Sequence, residues 1–287
     1  MAGTTTTTIN DLLPQIVTEA MFVASERSIM RGLVKQFQLS QGQGKTVTVP
    51  IFPKQTAASL TEGNEIDNTA VSTDGATLTV STAALRTLVT DLAVASAASN
   101  VVADLGRLFG EAIARKIDTD LTAKFYDLNA GEGNWGSAIT AASIFASVAK
   151  LKSNGVPTDG MVAVLHPAVA YDLKSALTAQ GNTPFTAGAY GDVANEAMRQ
   201  GYVGQLAGIP VYETSNITAR AGGDAGDFAG AVFHMDCLGL AMIGDIGIET
   251  ERRASYLGTD VVGYCHYGTG IIYNDYGRYL AFDSSIL

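Results

Sequence analysis

The chain has 287 residues, of which 16% are charged and 47% are hydrophobic, and its formal net charge at pH 7 is −10. The hydrophobic content excludes a disordered chain, and the excess of acid argues against a protein that holds DNA by its phosphates. Because a typical soluble domain is roughly 25% charged, either small residues cover this surface or partners do.

The sequence carries no recognisable targeting signal. It has no apolar run of the roughly 18 residues that would span a bilayer. Its start, residues 1–8, lacks the basic and apolar parts of a signal peptide. Cys237 and Cys265 form no CxxC pair and are expected to stay reduced. These features predict a protein that is made in a cytoplasm and is not held in a membrane.

An arm and a long ribbon are predicted in the first third of the chain. Residues 1–14 are rich in Thr, and the apolar spacing of residues 15–38 predicts a helix. Residues 47–51 alternate as a strand, with residues 76–80 as the return partner. The polar ribbon between them, residues 52–75, is longer than most connections in compact domains. Because two isolated strands are marginal in water, we expect the ribbon to lie against something else, the alternative being a floppy surface loop.

Helices and strands alternate in the rest of the chain. Apolar residues recur at three- and four-residue steps over residues 99–128, which predicts a helix about 45 Å long. The lobe of residues 161–245 carries 8 acidic and 3 basic residues. The other predicted elements are a glycine loop (129–137), helices (138–153, 169–177), a flexible stretch (178–189) and strands (161–165, 208–212, 231–233, 246–249, 259–265, 270–273, 278–282).

Motifs that carry chemistry are few and weak. The run Gly131–Gly136 fits GxGxxG, but a phosphate-binding loop follows a strand, and this run follows a predicted helix. Ser147 and Lys150 fit SxxK without its companion motifs. The histidines lack metal-ligand spacing, apart from a weak metal or thiol cluster at residues 234–237. They are His166, His234 and His266. We therefore predict no catalytic residue, no cofactor and no metal, and so no enzyme.

The order of the segments resembles the major capsid protein of tailed bacteriophages, a fold shared with the encapsulins. Val47–Pro50 and Ser59–Gly63 are similar to the rising strand and tip of that family's extended loop. The resemblance covers about residues 15–283. Further similar stretches are Ala163–Pro167, Tyr171–Leu173 and Gly204–Tyr212 of the axial domain, and Ile248–Arg252, Tyr267–Gly268 and Arg278–Leu280 of the closing strands.

This resemblance implies an α+β fold, the tailed-phage major capsid fold, in five segments. They are an N-terminal arm (1–44), an extended β-hairpin loop with its return (45–95), a long spine helix with the first part of a peripheral β-rich domain (96–137), an axial α/β domain (138–245) and the second part of the peripheral domain (246–287). The implied inter-subunit contacts lie in the extended loop, at Lys54, Leu60, Glu62, Glu65 and Ile66. Lys54 is the only lysine of the ribbon, but no Asn acceptor is assignable, so no covalent crosslink is predicted.

The resemblance also implies a function. The chain would be a structural head protein, made in the host cytoplasm, that self-assembles into hexamers and pentamers of an icosahedral virion shell. Its implied partners are copies of itself, a separate scaffolding protein, a portal, decoration proteins and packaged double-stranded DNA held without sequence-specific contacts. The alternatives are an encapsulin-like compartment shell and, more remotely, an α/β enzyme or binding module that uses residues 161–245.

Overall fold

The computed structural model describes residues 28–52 except 41 and 43, residues 73–96, 101–179 and 205–287, and isolated positions between 53 and 72. Its strands are β1 (Lys35–Leu39), β2 (Thr46–Ile51), β3 (Asp74–Thr79), β4 (Ser81–Thr90), β5 (Ala130–Glu132), β6 (Met161–Leu165), β7 (Gln205–Leu206), β8 (Ile209–Glu213), β9 (Asp227–His234), β10 (Leu238–Arg253), β11 (Gly258–Ile271) and β12 (Gly277–Asp283). Its helices are α1 (Asp91–Ser96), α2 (Val101–Ala123), α3 (Ala141–Ser153) and α4 (Pro167–Ala179), with 3-10 turns at Met30–Gly32, Lys124–Asp127, Ala254–Tyr256 and Asn274–Tyr276.

A four-stranded sheet has the order β1-β10-β11-β4. β10 and β11 pair antiparallel with a register shift between Ile243 and Gly247, and β4 adds to β11 in the antiparallel sense. Helix α2 lies against this sheet with Phe109 over Gly263, where a Cβ atom would come within 2.8 Å of the Phe109 ring. The glycine therefore lets the helix approach the strands closely.

A six-stranded sheet has the order β5-β12-β9-β6-β8-β7 and forms the second lobe. All residues of β6 and β9 are buried, because both are central strands with both faces covered. Along α2 the buried Ile113, Ile117 and Leu121 recur every fourth residue and so share one face of the helix. Phe125, in the 3-10 turn that follows α2, meets Phe233 of β9 with 5.7 Å between the ring centroids, and this face of α2 belongs to the same core cluster.

The predicted helix over residues 15–38 is wrong at its end. Residues 1–27 lie outside the described residues, but Lys35–Leu39 form strand β1. This segment pairs in parallel with Gly239–Ile243, and the resulting ladder of hydrogen bonds overrides the local helical spacing of its apolar residues. The predicted helix over residues 99–128 is confirmed for Val101–Ala123 and tightens into a 3-10 turn at Lys124–Asp127.

The predicted segments 138–245 and 246–287 do not follow the two sheets. Strand β10 runs through the division at residue 245 as one element of the four-stranded sheet. Strand β12, near the end of the chain, pairs with β9 and β5 and so belongs to the six-stranded sheet. The last strand therefore returns to the lobe of β6 and β9, because it completes the hydrogen bonding of β9 there. Within the described part of the chain, no helix is both long and apolar enough to span a membrane.

Candidate assembly site

Strands β2 and β3 form an antiparallel hairpin that is a sheet of its own, as the sequence predicted. The register pairs Thr46 with Thr79 at the base and Ile51 with Asp74 at the far end. Leu78 is the single buried residue of the two strands, while Thr and Pro side chains lie exposed. A hairpin that buries so little of its own surface gains little stability from itself, and the face that carries Thr46, Thr48 and Pro50 is exposed.

The base of the hairpin is attached to the four-stranded sheet. Leu78 and Val80 pack with Leu39 of β1 and Ala241 of β10 in a small apolar cluster. The Val80 amide donates a hydrogen bond to the Lys45 carbonyl over 2.8 Å, which closes the hairpin at this end. The hairpin therefore has a fixed root in the body of the subunit.

Beyond this root the hairpin stands away from the body. An open cavity separates them, lined on the hairpin side by Ile51, Thr73 and Asp74 and on the body side by the turn 271–275. Past the cavity, the Lys54 ammonium donates a hydrogen bond to the carbonyl of Asn154. Asn154 caps the C-terminal end of α3, where exposed carbonyl groups favour a cation.

Of the five contact residues implied by the family resemblance, the structure places one. Lys54 lies shortly after strand β2, and its ammonium donates to the Asn154 carbonyl at the end of α3 in the same subunit. The other four, Leu60, Glu62, Glu65 and Ile66, lie outside the described residues. A role for these residues between subunits stays a prediction.

Asp118 is a site that the sequence analysis missed. Its buried carboxylate accepts hydrogen bonds from the Ser28 hydroxyl (2.8 Å), the Ile29 amide (3.2 Å) and the Asn216 side chain (3.3 Å). Burial raises the pKa of Asp118, and these hydrogen bonds act against that rise. The carboxylate ties the first described residues of the chain to α2. The signal was present in the sequence, because Asp118 is the charged residue on a helical face that is otherwise formed by apolar residues and Thr122.

The motif candidates are built into ordinary structure. Gly131 lies in β5, where a Cβ atom would come within 2.1 Å of the Tyr279 carbonyl oxygen of β12, so strand packing requires glycine there. The Ser147 hydroxyl is buried in α3 and has no hydrogen-bond partner among the described residues. Lys150, one turn later, forms an ion pair with Glu132. Its ammonium therefore serves a surface ion pair.

Each histidine has a structural contact. His166 stacks on Phe228 with 3.7 Å between ring centroids, and burial lowers its pKa. His234 Nε2 lies 2.8 Å from the Asp159 carbonyl oxygen, and His266 Nδ1 lies 2.8 Å from the Thr82 hydroxyl. No group of three or more potential metal ligands occurs among the residues that the structure describes.

Both thiols are buried. Desolvation raises the pKa of Cys237 to about 12 and that of Cys265 to about 11. Thiolates are the reactive form of cysteine, so both side chains are unreactive at neutral pH in the folded protein.

Strands β10 and β11 end in an exposed tip beside α1. Leu257 at this tip adopts the left-handed conformation with φ +45°. Its carbonyl accepts a hydrogen bond from the Asp91 amide over 2.8 Å, and Arg252 forms a two-pronged ion pair with the Asp91 carboxylate. Below the tip, the buried Asp260 lies between two guanidinium groups, 2.8 Å from Arg86 and 2.6 Å from Arg253.

Solved structures of phage capsids share this fold. The capsid of cyanophage P-SCSP1u matches with a TM-score of 0.68 and 18% identity over 90% of this chain and 89% of that chain. A structure from Mycobacterium phage Che8 matches with a TM-score of 0.68 and 19% identity over 89% and 91% of the two chains. The capsid of a native GTA particle matches with a TM-score of 0.66 and 13% identity over 91% of both.

The sequence comparisons agree with the fold. No curated protein sequence matches the chain. A profile of the phage capsid protein family matches residues 63–281, which include the spine helix and most of both sheets. The capsid fold implied by the order of the sequence segments is confirmed. The chain belongs to the phage capsid protein family.

Proposed function

We propose that this phage major capsid protein closes its shell by resting the β2–β3 hairpin and the ribbon beyond it on a neighbouring copy of itself. The observation that supports this proposal is the hairpin, a separate two-stranded sheet with one buried residue and a cavity beneath it. Beyond its root, such an element is marginally stable alone and leaves surface on which a neighbouring copy can add contacts.

In a closed shell, many individually weak contacts are enough to hold each subunit in place. Each subunit of a closed symmetric assembly is held by several neighbours at once, so the contacts reinforce one another. The low charged fraction of 16% suits a surface that is largely covered by other subunits. We expect these subunits to form the hexamers and pentamers of an icosahedral head within the virion.

The further partners follow from the same proposal. The net charge of −10 suits a shell whose packaged double-stranded DNA slides along the wall without sequence-specific contacts. A scaffolding protein, a portal and decoration proteins are the expected partners during and after assembly in the host cytoplasm. The chain acts as a structural subunit and not as an enzyme, and its membership of a capsid family supports this role.

Replacing the ribbon tests the proposal. Ile51 and Asp74 are register partners, so residues 52–73 are replaced by Asn-Gly, which closes a two-residue hairpin turn. The unchanged chain, with co-expressed scaffold if required, should form large particles in negative-stain microscopy and light scattering.

The shortened chain should keep the fold and form no closed shell. Its folding is checked by the fluorescence of Trp135, the single tryptophan, which stacks between Tyr126 and Tyr279 in the other lobe. Normal shells from the shortened chain would refute the role of the ribbon. An unchanged chain that stays a monomer of 29.8 kDa at all salt concentrations, even with scaffold, would refute shell formation itself.

A further inference from the structure

The root of the hairpin crosses β10 and β11 where the face of these strands towards the hairpin is formed by glycine and alanine. Gly239 of β10 lies directly opposite Gly270 of β11, and Ala241 lies opposite Gly268 in the next pair on the same face. None of the three glycines has a positive φ, so backbone conformation does not require glycine at these positions. The reason for glycine must be space.

Leu78 fills the space above the first glycine pair. A Cβ atom on Gly239 would come within 2.8 Å of both Ile272 Cδ1 and Leu78 Cδ1, and one on Gly270 within 2.6 Å of Leu78 Cδ2. Real Cβ atoms do not approach other atoms so closely, so both positions exclude any larger residue while Leu78 and, at Gly239, Ile272 stay in place. Leu78 is 1% exposed and is the one buried residue of β3.

Gly268 contacts the backbone of the hairpin. A Cβ atom there would come within 2.2 Å of the Thr79 carbonyl oxygen and 3.1 Å of the Val80 Cα atom. A backbone atom has no alternative rotamer, so it moves only if the strand moves. The hairpin is therefore fixed by a side chain at one glycine pair and by its main chain at the next.

We propose that Gly239, Gly268 and Gly270 form a socket that fixes the angle at which the hairpin leaves the body, with Leu78 as the positioning residue. The hairpin beyond the socket stands over the cavity, with Lys54 as its described polar contact to the body. Because the ribbon lies far from the socket, a small change in the hairpin angle at the socket displaces the ribbon by a larger distance. The socket therefore controls where the ribbon meets a neighbouring copy. This inference rests on the proposed function, in which the ribbon reaches that neighbour.

Alanine variants distinguish the contact with the Leu78 side chain from the contact with the main chain of the hairpin. Gly270→Ala introduces a methyl group whose one close neighbour is Leu78 Cδ2. It should therefore have no further effect when combined with Leu78→Ala. Gly268→Ala meets main-chain atoms and should keep its full effect in the Leu78→Ala background. Gly32→Ala is the matched control, because a Cβ atom there has no neighbour within 4 Å in the part of the chain that the structure describes.

Hydrogen exchange of the unassembled subunit is the first measurement. The Val80 amide, which bonds to Lys45 at the root of the hairpin, should exchange about tenfold faster or more in Gly268→Ala than in the unchanged chain or Gly32→Ala. Amides of β6 and β9, in the other lobe, should keep their exchange rates. An unchanged Val80 rate in Gly268→Ala, or an added effect of Gly270→Ala on Leu78→Ala, would overturn the socket.

Assembly is the second measurement. With the hairpin angle altered, Gly268→Ala should give misshapen particles or none, while Gly32→Ala gives normal ones. Normal particles from a Gly268→Ala chain whose Val80 exchange is accelerated would overturn the control of assembly by the socket. If the unchanged chain forms no particles, the proposed function fails, while the exchange pattern still tests the socket by itself.

Discussion

Replacing Asp118 by alanine tests how the start of the described chain is attached to α2. The change removes the acceptor of three hydrogen bonds, from Ser28, Ile29 and Asn216. At about 1 kcal/mol of net stabilisation each, their loss lowers the free energy of unfolding by about 3 kcal/mol. The Ile29 amide and the Asn216 amide, both partly buried, are then left without this acceptor, so the loss falls at the upper end for a single substitution.

Replacing Asp118 by asparagine should lower the free energy of unfolding much less, by on the order of 1 kcal/mol. Its amide oxygen keeps an acceptor for one or two of the donors, and it removes a charge that burial disfavours. The pH dependence follows from the raised pKa of Asp118. A carboxyl group with a raised pKa in the folded state binds its proton more tightly there than in the unfolded chain. The stabilisation that comes from this tighter proton binding is therefore complete below the ordinary carboxyl pKa. It is lost as the pH rises through the raised pKa of the folded state.

Urea unfolding of the unassembled subunit, followed by Trp135 fluorescence, measures these differences. Between pH 7 and pH 4 the unchanged chain should gain stability relative to Asp118→Asn, because asparagine does not titrate over that range. Equal losses for the alanine and asparagine variants would refute the hydrogen-bond argument. A gap between the unchanged chain and Asp118→Asn that narrows or reverses as the pH falls would refute the burial argument.

Three further predictions concern the tip of β10 and β11 and the buried thiols. Asp260→Ala should lower the free energy of unfolding by about 1–3 kcal/mol in the urea assay, because the half-exposed guanidinium groups of Arg86 and Arg253 lose a charged partner. The exposed Asp91→Ala is the control and should lower the free energy of unfolding by less. Leu257→Asn should raise the free energy of unfolding by about 0.5–1 kcal/mol, because asparagine tolerates the left-handed conformation and Leu257 is 69% exposed. An unchanged or lower free energy of unfolding would contradict the backbone strain at Leu257. Cys237 and Cys265 should react with a thiol reagent at pH 8 only after urea is added, and rapid labelling of the native chain would contradict their burial.

Local patterns in the sequence were enough to predict the helices and strands whose apolar residues recur at a regular spacing. The spine helix follows from apolar residues at three- and four-residue steps, and the hairpin follows from two alternating segments around a polar stretch. Strand β1 did not follow from its own residues. Lys35–Leu39 become a strand because β10, far along the chain, offers a parallel partner, and local spacing carries no information about that partner.

The hairpin was predictable from the sequence, but the way in which it is attached was not. A long polar ribbon between two strands predicted an element completed by a neighbour, and that role stays a prediction. The socket was not predictable, because Gly239, Gly268 and Gly270 are ordinary glycines until the pairing of β10 with β11 brings them under Leu78. The same holds for Asp118, whose three donors come from segments that are far apart in the chain.

The position of the socket in the chain has a consequence for biosynthesis. Leu78 leaves the ribosome long before Gly270, and at about 5–20 residues per second the interval is about 10–40 s. During that time the glycines that Leu78 contacts in the folded subunit are not all available. The proposed socket therefore fixes the hairpin only after translation has passed Gly270.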